Sequence, residues 1–128
     1  MIDSTVSTYI FGVLTAIVAA FQLALAFGAP WGEMTMGGKF PGRLPLRMRV
    51  AALVQILLLA FISLIVATRA GLLLDNYSDF STSAIWFVVV FCTLSAILNI
   101  ITPSKKERML WGPVTIVLLI CSIIVATS

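Results

Sequence analysis

Histidine is absent from this 128-residue chain, and charge is scarce: Asp, Glu, Lys and Arg together make up 10% of it. Without an imidazole there is no axial ligand for haem iron, no histidine-based zinc site and no histidine general base. Cysteine is nearly absent too. Its two copies, Cys92 and Cys121, each sit in a long apolar run, where they are read as small packing groups rather than a disulfide framework or a metal site. No metal centre, cofactor or catalytic constellation is therefore expected. A soluble domain carries about a quarter charged residues, so the shortage of charge also argues against an ordinary globular protein.

What fills the chain instead is hydrocarbon. Hydrophobic residues make up 61% and the mean hydropathy is +1.15. A bilayer-crossing helix needs about 20 mostly apolar residues. Four stretches qualify, at about 8–28, 50–74, 83–102 and 108–127, and they use up the chain. The expected fold is all-α: one domain, a polytopic membrane protein built as an antiparallel bundle of four transmembrane helices. The leading residues MIDST carry an acid and no Lys or Arg, so the first span is expected to be retained rather than cleaved as a signal peptide.

The net charge of +3 does not read as a nucleic-acid footprint, because neither a basic helix face nor an aromatic stacking platform accompanies it. Seven of the eight cations fall in two connectors. Lys39, Arg43, Arg47 and Arg49 lie in the loop 29–49, and Lys105, Lys106 and Arg108 lie between the third and fourth spans, leaving Arg69 alone on the other side. The positive-inside tendency then places both connectors in the cytoplasm and both termini outside, in a bacterial inner membrane. So large a bias also separates the chain from four-helix families that insert in both orientations, such as small multidrug transporters and fluoride channels. The first span moreover offers Gln22 where such a transporter would need a glutamate.

The first span carries two unlike faces. Gly12, Ala16, Ala20, Ala24 and Gly28 recur every fourth residue and form a narrow ridge that lets another backbone approach closely. Packing within the chain is the expected use, a homodimer the alternative. Phe11, Thr15, Val18 and Gln22 mark the second face, so this helix is expected to sit centrally.

The loop 29–49 is too long for a simple connector and is rich in glycine and proline. Trp31, Met34, Met36 and Phe40 give it enough apolar surface to dip into the membrane interface. Gly37-Gly38 lacks the Lys-Ser/Thr that a phosphate-binding loop requires. Arg43, Arg47 and Arg49 are candidates for bidentate contact with anionic lipid headgroups. Glu33 stands as the carboxylate nearest the membrane's polar groups; a salt bridge to Arg43, Arg47 or Arg49 is expected, with a general base or a cation ligand as the alternative. At the second connector, Thr102 is a helix stop, Pro103 fits a first-turn position, and Ser104 with Glu107 has capping-box spacing.

Three carboxamides interrupt the spans. At about 1.5 Å of rise per residue, Gln22 and Gln55 lie about 9 Å and Asn99 about 5 Å from the connector end of their helices, with Thr115 at similar depth. Two readings stay open. The amides hydrogen-bond across helices and hold the bundle together, or they line a polar pocket beneath the loop, suited to a neutral ligand or a lipid headgroup. On the second reading the candidate binding residues are Gln22, Gln55, Asn99, Trp31, Glu33, Arg43, Arg47 and Arg49.

Ala-Pro-Trp-Gly at 29–32, Gly37-Gly38, Gly42-x-Leu44-Pro45 and Arg49 form one half of a longer pattern. Asn99, Thr102-Pro103-Ser104, Glu107-Arg108 and Trp111-Gly112-Pro113 form the other. Along its whole length the chain resembles a family of small, uncharacterised four-helix bacterial membrane proteins. The resemblance implies architecture and an inner-membrane location, and no activity. The expected function is a non-enzymatic ligand- or lipid-binding or protein-interaction module. Its partners would be membrane lipids, with a homo-oligomer or a partner membrane protein in addition. A small channel or transporter, and a membrane enzyme acting on a lipid-like substrate, are the alternatives.

Overall fold

The computed structural model describes residues 3–128 and is helical throughout. Helices α1 (Ser4–Ala26), α2 (Leu46–Arg69), α3 (Ser78–Ile101) and α4 (Lys105–Thr127) are each long and apolar enough to cross a membrane. Short 3-10 turns at Gly32–Met34, Met36–Gly38 and Asp75–Tyr77 lie between them.

Every helix starts about one turn before the apolar run that predicts it. Local capping accounts for this in two of them. Asp3 accepts a hydrogen bond from the Val6 N–H at 2.9 Å, and Ser104 accepts one from the Glu107 N–H at 3.2 Å, so polar first turns become helical ahead of the hydrocarbon stretch. Pro103 stands just outside α4, before the Ser104 cap, rather than in its first turn. Helix α2 ends at Arg69, short of the expected Leu74, because the chain turns through left-handed backbone at Gly71 (φ +81°) and Leu74 (φ +48°).

Helix α1 packs on α2 and α4, and α3 packs on α4 and α2, closing a ring. The most buried helix is α4, not α1 as the two-faced pattern predicts. Small side chains explain the exchange: Gly112, Cys121, Ser122 and Ala126 on α4 are all buried and let its neighbours close in. The first three residues of the ridge on α1 point away from the bundle. Gly12, Ala16 and Ala20 are exposed, and a Cβ added at Gly12 would meet nothing within 4 Å. Phe11, fully buried, is what α1 drives into the interior instead.

Phe11, Ile62, Val66, Ile85, Val88 and Val125 are all fully buried and fill the half of the bundle where α2 ends and α3 begins. Thr15 and Ser63 share a hydrogen bond of 2.8 Å between α1 and α2 within that region. Outward faces are lined by Val13, Ile17, Leu57, Phe61, Phe87, Val90 and Leu94, all exposed. A soluble monomer seldom shows so continuous an apolar surface.

At the other end the segment 27–45 folds onto the helices. Leu44 joins Leu25 and Ala52 in a second apolar cluster, flanked by Phe21, Met36, Phe40 and Met48. Arg49 Nε donates to the Ala26 carbonyl at 2.8 Å, satisfying an acceptor that the end of α1 leaves open. The segment closes on itself where the Gly32 N–H donates to the Gly42 carbonyl at 2.8 Å. A Cβ at Gly32 would lie 1.8 Å from the Phe40 carbonyl oxygen, so no other residue fits. Gly32→Ala is therefore expected to open the loop, costing on the order of 1–3 kcal/mol and loosening the backbone at the exposed Lys39 and Arg43 so that trypsin cuts there faster. Gly12→Ala, in open space inside a helix, should not lower thermal stability and should leave digestion unchanged. Equal digestion of Gly32→Ala and wild type in mild detergent would contradict the closed loop.

Candidate functional site

Beneath the loop lies a cavity of about 600 Å³, within the usual range for ligand pockets. Gln22 of α1, Gln55 of α2 and Asn99 of α3 all line it, so the structure brings the three carboxamides together. Thr35, Met36, Gly37 and Lys39 roof it, with Thr102, Glu107, Trp111 and Thr115 beside them. Below the polar end, Val18, Leu59, Ile62, Phe91 and Leu118 give it an apolar floor. Ala51 on α2 and Leu98 and Ile101 on α3 are lining residues exposed on the outer surface. The cavity thus opens sideways, along the seam between α2 and α3.

The amides do not bond across the helices. Asn99 Nδ2 donates to the Ser95 carbonyl of its own helix at 2.7 Å, and neither Gln22 nor Gln55 hydrogen-bonds another described residue. Nor are these amides among the sealed, unpartnered polar atoms, which are Ser7 Oγ, Arg69 Nε and Trp111 Nε1. The amides of Gln22 and Gln55 therefore face open space within the cavity.

Glu107 is a carboxylate missing from the sequence-predicted set. It is 9% exposed, and its Oε1 accepts the Thr102 hydroxyl and, at 3.2 Å, the Gly37 N–H. Gly37 can present that N–H because its backbone is left-handed, with φ +69°. Capping-box spacing marks this residue in the sequence, but only as part of a helix start. In the structure the Ser104 N–H turns to Thr102 Oγ1 at 3.2 Å, and the Glu107 side chain reaches across to the loop. No lysine or arginine lies within ion-pair distance of it among the described residues.

The remaining predicted binding residues lie outside the cavity lining. Glu33 pairs with Lys106 at 2.6 Å, not with an arginine, because the first turn of α4 passes beside the 3-10 turn that carries it. Both partners are exposed, so the pair contributes little, about 0–1 kcal/mol. The Glu33 carbonyl also accepts the Ser104 hydroxyl. Arg43 lays its guanidinium over Gly28, Arg47 is exposed, and Arg49 holds the end of α1. Trp31 stacks on Phe21 with ring centres 6.1 Å apart and lines a separate shallow groove between α1 and α4.

No protein-family model matches the chain, and comparison with curated proteins and with solved structures gives no significant match.

The geometry separates glue from pocket by stability alone. Gln22→Leu and Gln55→Leu are expected to leave thermal stability in detergent unchanged or slightly raised, since neither amide makes an interhelical bond. Thr15→Val, which removes the bond to Ser63, should cost about 0.6–1.7 kcal/mol. A loss at Gln22 and Gln55 as large as at Thr15 would restore the cross-helix role for the amides.

Proposed function

We propose that this chain is a multi-pass protein of the bacterial inner membrane that binds a lipid-like amphiphile in the cavity beneath its first loop, without catalysis. The observation that carries this is the cavity's two-part lining. Unbonded carboxamides stand at one end and aliphatic and aromatic side chains at the other, with a side opening on an apolar face. An amide left without a partner in an apolar medium costs several kcal/mol. Water could satisfy the polar end but gains nothing over Leu59, Ile62 and Leu118. A molecule with a polar head and a hydrocarbon tail satisfies both.

The channel reading has less support, because the bundle beyond the cavity is packed by Phe11, Ile62, Val66, Ile85, Val88 and Val125. The enzyme reading loses its proposed base, since Glu33 turns to Lys106. Membrane insertion is supported by four apolar helices and their apolar outward faces. An antiparallel, single-domain arrangement is supported by paired ends: Arg49 meets Ala26, Glu107 meets Gly37, and at the opposite end Arg69 donates to the Ser128 carbonyl at 2.7 Å. The resemblance to small bacterial four-helix proteins points the same way.

The test is native mass spectrometry of protein released from gently solubilised membranes. A stoichiometric amphiphile is expected, lost or weakened in Gln55→Leu and Asn99→Leu while thermal stability holds. A clean apo mass in wild type would sink the binding reading. Orientation follows from the cation bias, seven residues against one. It is checked with Lys39→Cys and Ser128→Cys, each in a background lacking Cys92 and Cys121. In intact cells an impermeant maleimide should label position 128 and spare position 39; the reverse pattern would invert the topology.

A further inference from the structure

We infer that the cavity's headgroup site selects a primary ammonium, held by Glu107, so that the amphiphile is an aminophospholipid; this rests on the amphiphile-binding reading above. Glu107 is a carboxylate only 9% exposed, with no cation within ion-pair distance among the described residues. Its two oxygens are treated differently. Oε1 receives the Thr102 hydroxyl and the Gly37 N–H, whereas Oε2 has no hydrogen-bond partner and is not among the sealed atoms. One oxygen anchors the side chain and the other remains open, on a residue that lines the cavity.

The two threonine hydroxyls beside it are already committed. Thr102 gives its proton to Glu107, and Thr115 gives its own to the carbonyls of Trp111 and Gly112 at 2.8 and 2.9 Å. Asn99 spends an N–H on Ser95; because that partner is a carbonyl, the amide nitrogen must face it, which leaves Oδ1 as an acceptor. Beside Glu107 the cavity therefore offers acceptors, while the open N–H groups of Gln22 and Gln55 suit the oxygens of the same headgroup. A primary ammonium brings three N–H donors and a positive charge, which is the complement of Glu107 Oε2 and the neutral oxygens near it. A quaternary ammonium has the charge without the donors, and a glycerol or sugar headgroup has donors without the charge. Lys39 is the one cation on the lining, and no carboxylate lies within ion-pair distance of it among the described residues. It suits the phosphate of the same headgroup.

The experiment offers purified, delipidated protein equal amounts of phosphatidylethanolamine, phosphatidylcholine and phosphatidylglycerol with identical acyl chains, and reads bound lipid by native mass spectrometry. The expected order is ethanolamine well above choline, and choline above glycerol. Glu107→Gln keeps an acceptor for Thr102 and Gly37 but removes the charge. It should lower ethanolamine-lipid retention by at least about tenfold, the usual weight of a charge-assisted hydrogen bond, with thermal stability near wild type. The wild-type ranking needs no variant, so a poorly folding Glu107→Gln does not shield the inference. Equal retention of all three lipids, or binding unaffected by Glu107→Gln but lost in Asn99→Leu, would overturn ammonium selection and leave the cavity reading standing. Ethanolamine alone competing as well as its lipid would overturn the aminophospholipid and assign the site to a free amine. Retention of no lipid at all would overturn both readings together.

Discussion

A single carboxylate ties together the end of the molecule where chemistry is concentrated. Glu107 receives a hydroxyl from Thr102 at the end of α3 and an N–H from Gly37 in the loop, while it belongs to the first turn of α4. The end of α3, the start of α4 and a loop 70 residues earlier are thus fixed through one oxygen. The Ser104 hydroxyl on the Glu33 carbonyl and Lys106 on the Glu33 side chain add to the same junction. Those contacts are exposed and compete with water, so the buried one bears most of the constraint. Without it, among the described residues, only exposed side-chain contacts would tie the loop to α4 over the cavity.

The bundle divides its two ends between different tasks. Around Phe11, Val66, Ile85, Val88 and Val125 the side chains are apolar and fully buried, and dense packing supplies the cohesion. Toward the loop, the same helices present Gln22, Gln55, Asn99 and Thr115, and close packing gives way to a cavity. The second apolar cluster, around Leu25, Leu44 and Ala52, sits beside that cavity and holds the loop to α1 and α2. The loop is thus secured from two sides, by hydrocarbon on one and by Glu107 on the other.

The helices were legible because length and apolarity alone identify them, and the convergence of Gln22, Gln55 and Asn99 followed from counting rise along each helix. What periodicity could not settle was which face of α1 turns inward. A ridge of small residues and a stripe containing Phe11 and Gln22 are both plausible contact surfaces, and the choice depends on the neighbours' shapes. Small residues on α4 decided it by making α4 the helix others pack around. Partners across the loop were equally hidden. The sequence offers Glu33 an arginine from its own loop, yet α4 brings Lys106 closer, a tertiary fact with no local trace. Glu107 was visible only as half of a capping box.

That capping box explains how a helix start can contribute to a binding site. In the reciprocal form, the glutamate side chain turns back to the N–H of the capping serine and is consumed there. Here Thr102 Oγ1 accepts the Ser104 N–H, and the same hydroxyl donates its proton to Glu107. One threonine therefore does the glutamate's capping task and also orients it. Ser104 still caps α4 through the Glu107 N–H, so the helix loses nothing at its first turn. The carboxylate is released from local duty, placed where the positive end of the α4 dipole favours an anion, and left with one oxygen uncommitted. A sequence pattern that reads as a structural device has in this fold been left free for the recognition role proposed above, because a neighbouring threonine took over its usual partner.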